Sequence, residues 1–159
     1  MKLHVLVDNN TLIDRYFQGE PGVSYYIESD GINILFDAEY SDVFIKNAVK
    51  MQLYLYNLNY IVMSHGHIDH TWGLVPLMRL HTEAIIEKIE YKRPKFLSHP
   101  DALKYKCIAN EDIGSIVSKE KLSKYYDMNL TKNPYWISEK IVFLGEIERT
   151  NDFEGKEAI

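Results

Sequence analysis

One stretch constrains this chain more than any other: Tyr60-Ile61-Val62-Met63-Ser64-His65-Gly66-His67-Ile68-Asp69-His70-Thr71-Trp72-Gly73-Leu74. The apolar run Tyr60 to Met63 reads as a buried strand, and it leads directly into His65, His67, Asp69 and His70. A ligand-rich loop leaving the carboxyl end of a strand is where α/β sheets gather function. In an extended segment, residues i and i+2 point to the same side, so His65 and His67 can converge on one ion. Asp69 and His70 come after a further turn and can face a second ion nearby. This is not the i, i+4 spacing of a helical zinc protease, and a lone cysteine excludes a structural finger. Imidazole and carboxylate suit divalent zinc, with iron and manganese as alternatives. Such an ion lowers the pKa of bound water and polarises the bond that the water attacks, which points to hydrolysis. Asp69 would ligate metal and also orient, or take a proton from, that water. The bland alternative is a hydrogen-bonded turn carrying surface histidines.

The rest of the chain supplies a layered α/β frame. Residues 2–7 are apolar and β-branched and predict a strand that stops at Asp8-Asn9-Asn10-Thr11. After the turn signal Glu20-Pro21-Gly22, residues 23–28 and 32–37 form two strands around Ser29-Asp30-Gly31, whose Asp-Gly suits a tight hairpin. Ser41-Asp42 predicts a capped helix start, and Phe44, Ile45, Ala48, Val49 and Met51 recur at helical spacing. A second helix runs from Leu74 to about Glu90, with Pro76 in its first turn and Leu77, Leu80, Ala84, Ile85 and Ile89 inward. Residues 94–99 read as a strand, 100–103 as helical, 118–126 as a surface helix and 140–145 as a last strand.

At 159 residues and 46% hydrophobic, the chain has material for one core, so residues 1–159 are expected to form one domain. The net charge of −5 argues against nucleic acid as a partner, because binding phosphates needs basic surface. Cys107 is alone, which removes any internal disulfide and suits a reducing compartment. The amino-terminal residues turn polar too soon for a signal peptide, and no apolar run reaches membrane-spanning length. A cytoplasmic protein acting on a small molecule is the expectation.

The segment Ser64 to Leu74 resembles the His-x-His-x-Asp-His signature of the metallo-β-lactamase superfamily. Gly22 to Glu28, followed by Ile34 to Asp37, resembles the paired strands that precede that signature. Ser98-His99-Pro100-Asp101, Phe143 to Ile147 and Asn151 to Glu154 resemble a narrower branch, related to the dihydropterin-ribofuranosyl-aminobenzene phosphate synthase of methanopterin biosynthesis. The resemblance implies an αββα sandwich, of which this chain carries largely the first αβ half and is incomplete at the carboxyl end. It implies a hydrolase with two metals: His65 and His67 on the first, Asp69 and His70 on the second. The remaining ligands are expected in the second half, and no histidine follows His99. The alternative is therefore a truncated, non-catalytic homologue with a partial metal site. The first sheet's inner face would then be bare, to be covered by self-association or by a complementary chain.

Two departures from the family pattern stand near the signature. Asp37-Ala38-Glu39 replaces the frequent Asp-Thr-Gly, and Thr71-Trp72-Gly73 replaces Thr-Gly-Gly. The tryptophan is expected to crowd the pocket or alter the turn. Asp37 and His99 are expected to support the ligands from behind, His99 also being a candidate stand-in ligand. His4 and His81 read as structural, Asp8 as a turn residue and Tyr54-Leu55-Tyr56 as packing. Cys107 reads as a small, partly buried side chain with nothing to activate it.

Overall fold

The Asp30-Gly31 turn has left-handed φ at both residues, 52° and 77°, the twist a two-residue hairpin requires. In this computed structural model, which describes residues 1–148, 150 and 151, strand β1 (Lys2–Val7) pairs antiparallel with β2 (Ser24–Ser29). The turn then joins β2 to β3 (Ile32–Phe36). Helix α1 (Val43–Lys50) crosses over to β4 (Tyr60–Val62), which lies parallel to β3. The short α2 (Ile68–Thr71) and the longer α3 (Leu74–Ile86) lead on to β5 (Lys95–Ser98), parallel to β4. A small ribbon, β6 (Cys107–Ile108) with β7 (Glu111–Asp112), precedes α4 (Lys119–Tyr125). The chain then enters β8 (Asp127–Leu130), parallel to β5, and ends in a separate hairpin of β9 (Tyr135–Ser138) and β10 (Ile141–Phe143). The main sheet has six strands in the order β1-β2-β3-β4-β5-β8.

Alternation along the strands sends two sets of side chains to two faces. Leu6, Tyr26, Leu35, Ile61 and Phe96 pack under the helices against Phe44, Ala48, Leu74, Leu77, Met78 and Leu122. Burying each large apolar side chain contributes about 1.5–3 kcal/mol, so this face is the main source of stability. Ile34, Val62 and Leu97 point the other way and meet Ile137, with Tyr135, Ile141 and Phe143 packed around them. The inner face is therefore not bare at its centre, which the β9–β10 hairpin covers. At the β1 end the face stays open, with Leu3 and Val5 half exposed.

Several local expectations shift. The Ser41-Asp42 cap is only partial: Ser41 Oγ accepts from the Val43 N–H at 3.3 Å, and Asp42 makes no side-chain cap bond. The buried Glu39 carboxylate accepts from the N–H groups of Tyr40, Ser41 and Phe44 instead. Residue 39 holds a left-handed φ of 50°, which explains why glycine is frequent there in the resembling family. Burial pushes the Glu39 carboxyl up to about 8, a neighbouring Glu20 carboxyl adding to the rise against those N–H bonds.

The inward stripe of α3 is Leu74, Leu77, Met78, His81 and Ala84, while Ile85 and Ile89 are exposed, as is Val49 on α1. Residues 100–103 form a 3-10 turn. Cys107 is exposed rather than partly buried. His81 is structural, as expected. It is fully buried, with Nε2 on the Leu55 carbonyl at 2.9 Å and Nδ1 beside the Tyr126 hydroxyl. Burial holds its pKa down to about 4 against the pull of the Leu55 bond. Residues 152–154 of the Asn151–Glu154 segment lie outside the described residues.

Candidate functional site

The parallel part of the sheet delivers four strand ends to one edge. Asp37 follows β3, Ser64 to His70 follow β4, His99 follows β5, and Lys132 lies just beyond β8. This is the crevice where open α/β sheets hold ligands.

Asp37 is fully buried at a left-handed φ of 56°, a conformation that persists only when its surroundings hold it there. Its carboxylate accepts from the Ser64 backbone N–H at 2.7 Å and from the Ser64 hydroxyl at 2.6 Å. It also lies 2.8 Å from His70 Nδ1. A carboxylate only accepts, so His70 carries a proton on Nδ1 and turns Nε2 outward, toward Asp69 Oδ2 at 3.6 Å. Ser64 Oγ is also 2.9 Å from His65 Nδ1. The single hydroxyl proton is committed to Asp37, so the oxygen accepts from His65. In its neutral form each imidazole then carries its proton on Nδ1 and its lone pair on Nε2, which is how supporting groups prepare histidines for metal.

The three rings stand together, with the His65 centroid 4.5 Å from His67 and 4.1 Å from His70. Burial lowers the His65 pKa, and the neighbouring rings of His70 and His67 lower it further. Burial also pulls on His70, but the hydrogen bond and charge of Asp37, helped by Asp69, outweigh it and raise its pKa.

The loop is fixed from outside. Ile68 N–H donates to the Ile113 carbonyl at 2.9 Å, and His67 bridges to Gly114. Ala38 N–H donates to the His70 carbonyl at 2.9 Å, and Gly73 N–H to the Glu39 carbonyl at 3.1 Å. Trp72 does not crowd the site as expected: it stacks on Tyr40 at 5.3 Å and donates its indole N–H to the Gly114 carbonyl.

The donor types fit a divalent cation, and the Nε2 lone pairs of neutral His65 and His70 fit its ligation. Among the described residues, however, no group of three or more His, Cys, Asp or Glu side chains stands ready to hold an ion. The described side-chain contacts of His99 are with Asp101 and Glu146. Its Nδ1 accepts from the Asp101 N–H, and its Nε2 lies 3.4 Å from Glu146 Oε2. It shares with Ser64, His65, Gly66, Lys132 and Glu146 the wall of a cavity of about 1130 Å³. Sequence reading missed Ser64, although a hydroxyl immediately before a histidine cluster is a usable signal. It also missed Lys132 and Glu146, for which no local signal exists. No described helix is long and apolar enough to cross a membrane.

Over 156 residues the chain is 31% identical to an uncharacterized protein of Methanocaldococcus jannaschii, covering 98% of this chain and 57% of that protein. Over 172 residues it is 28% identical to the 7,8-dihydropterin-6-methyl-4-(beta-D-ribofuranosyl)-aminobenzene-5'-phosphate synthase of the same organism, covering 100% of this chain and 55% of the synthase. The chain thus spans a little over half the length of these curated relatives. Among solved structures it is similar in fold to BJP-1, a subclass B3 metallo-beta-lactamase of Bradyrhizobium japonicum. That match has a TM-score of 0.53 and 16% identity, and it covers 87% of this chain and 49% of that one. A family model described as the metallo-beta-lactamase superfamily matches residues 18–122, a span containing both Asp37 and the whole histidine cluster. The chain belongs to the metallo-beta-lactamase superfamily.

Proposed function

We propose that this chain carries the ligand loop of a metal-dependent hydrolase with a dinuclear site, acting on a small anionic or polar molecule in the cytoplasm. The observation that carries the reading is the pair of pre-set imidazoles: the Ser64–Asp37 pair ties both Nδ1 atoms, so the neutral rings of His65 and His70 carry their lone pairs on Nε2. His65 and His67 would hold one ion, and Asp69 with His70 the other. Zinc suits these donors best, with iron or manganese as alternatives. Bound there, the metals would supply a lowered water pKa and a polarised scissile bond.

The chain's own residues do the rest. Asp37 holds the His70 ring and tautomer. Ser64 relays that hold to His65, and Asp69, the partly exposed carboxylate beside His70 Nε2, takes or orients a proton.

A second reading has specific support. The chain spans a little over half of the length of its curated relatives, and on this reading it binds an ion without turnover. Metal counting on purified protein, with phosphodiester and carboxylic ester assays, separates the two readings. The hydrolase reading expects bound zinc and turnover, both lost in a His65→Ala, His67→Ala double variant, with turnover down ~100-fold or more. Bound zinc without turnover supports the second reading. Protein that takes up no divalent ion and shows no turnover contradicts the hydrolase reading.

A further inference from the structure

We propose that His99 and Lys132 form an oxyanion-binding subsite on the wall of the cavity beside His65, held in the resting chain by the carboxylate of Glu146. The ligand class is the phosphate or carboxylate group of a substrate. Its use in turnover rests on the hydrolase reading; the binding itself does not.

Three features of the wall carry the proposal. First, two donors converge on one oxygen. His99 Nε2 lies 3.4 Å and Lys132 Nζ 2.8 Å from Glu146 Oε2. Second, the His99 donor is fixed. Its Nδ1 accepts the Asp101 N–H at 3.1 Å, so the neutral ring carries its proton on Nε2, aimed at the bound carboxylate. Third, the segment bearing Glu146 is laid against Lys132 by its backbone. Glu146 N–H donates to the Lys132 carbonyl at 2.8 Å. The preceding Gly145 has a φ of 75°, and a Cβ there would lie 2.3 Å from that carbonyl.

The two donors come from the ends of β5 and β8 and open on the cavity of about 1130 Å³ that His65 also lines. Lys132 and His99 hold the Glu146 carboxyl below its ordinary range. Lys104 and Lys106 line the same wall, Lys104 paired with Asp101 at 2.6 Å, but only Lys132 shares a carboxylate oxygen with a histidine. The Glu146 side chain is more than half exposed, and exposed ion pairs are held weakly, so an incoming oxyanion can displace it.

The test uses the full chain freed of metal over a chelating resin, so that neither a metal nor a dissolved carboxylate chelator contributes. Inorganic phosphate and, separately, acetate are titrated while the His99 imidazole resonances are followed by NMR. In the wild type Glu146 competes, and an internal competitor lowers apparent affinity by the fraction of time it occupies the site. Glu146→Gln is therefore expected to tighten binding of one anion by about 10-fold, with shifts at His99. Lys132→Ala in the Glu146→Gln background is expected to abolish the gain. A gain for phosphate over acetate assigns the subsite to phosphate groups, and the reverse assigns it to carboxylates. No gain with either anion, or a gain that survives Lys132→Ala, overturns the proposal. Because the readout needs neither metal nor turnover, a failed hydrolase assay leaves it standing.

Discussion

Gly73→Ala is expected to destabilise the chain by about 3 kcal/mol or more, beyond ordinary overpacking, because nothing at the site can yield. A Cβ there would lie 1.8 Å from the Ala38 carbonyl oxygen and 2.9 Å from that of Ser41. Both neighbours are backbone, so no rotamer change relieves the clash. The same turn holds the Gly73–Glu39 and Ala38–His70 hydrogen bonds. Forcing it open lifts His70 off Asp37 as well as loosening the start of α3. Urea unfolding measures the loss, with Gly31→Ala as the control. That position has open space and pays only for its left-handed φ of 77°, about 1 kcal/mol. A Gly73→Ala protein as stable as the Gly31→Ala protein would show that the ligand loop is not clamped against the β3–α1 turn.

The second large effect belongs to Asp37→Asn. The substitution keeps the size and removes the charge that organises Ser64, His65 and His70. Zinc affinity is expected to fall about 10- to 100-fold, the usual cost of losing a group that orients metal-binding histidines. In the metal-free protein the His70 titration is expected to move down, because burial stays while the Asp37 hydrogen bond and charge go.

The linkage has a definite sign. His70 has a folded pKa above its unfolded value, so its contribution to stability is complete below about 6.5. That contribution is lost as pH rises through the folded pKa. Asp37→Asn should therefore flatten the decline of stability above neutral pH, read by unfolding at a series of pH values. A His70 midpoint that does not move would remove Asp37 from its positioning role.

The parts of this molecule set by neighbours in sequence were legible, and the parts set by distant ones were not. Asp30-Gly31 encodes its hairpin locally, and the Tyr60–Met63 run encodes a buried strand, because those signals need only adjacent residues. The histidine cluster was visible for the same reason. Asp37 could be named but not given its task, since its partners stand 27 and 33 positions away. The Ser41-Asp42 cap was overestimated because the side chain of Glu39, from before the helix, took over most of the capping. The strands β8 and β9 were missed for a physical reason as well. β8 is a four-residue edge strand with half-exposed side chains, and β9 gains its apolar burial only by folding back onto Ile34, Val62 and Leu97. That same fold-back altered the account of the inner face. The His99–Glu146 pair spans 47 positions, which no local pattern reports.

The central claim is that residues 65–70 are a metal-ligand loop, pre-set by Ser64 and Asp37. A zinc titration of the full chain, followed through the imidazole nitrogens by long-range ¹H–¹⁵N NMR, addresses it most directly. The account predicts that Nε2 of His65 and of His70 takes on the shift of a metal-bound nitrogen, that His67 responds with them, and that His4 and His81 do not change. Zinc-dependent shifts at His4 or His81 with none in the 65–70 loop, or no zinc response from any histidine, would contradict it.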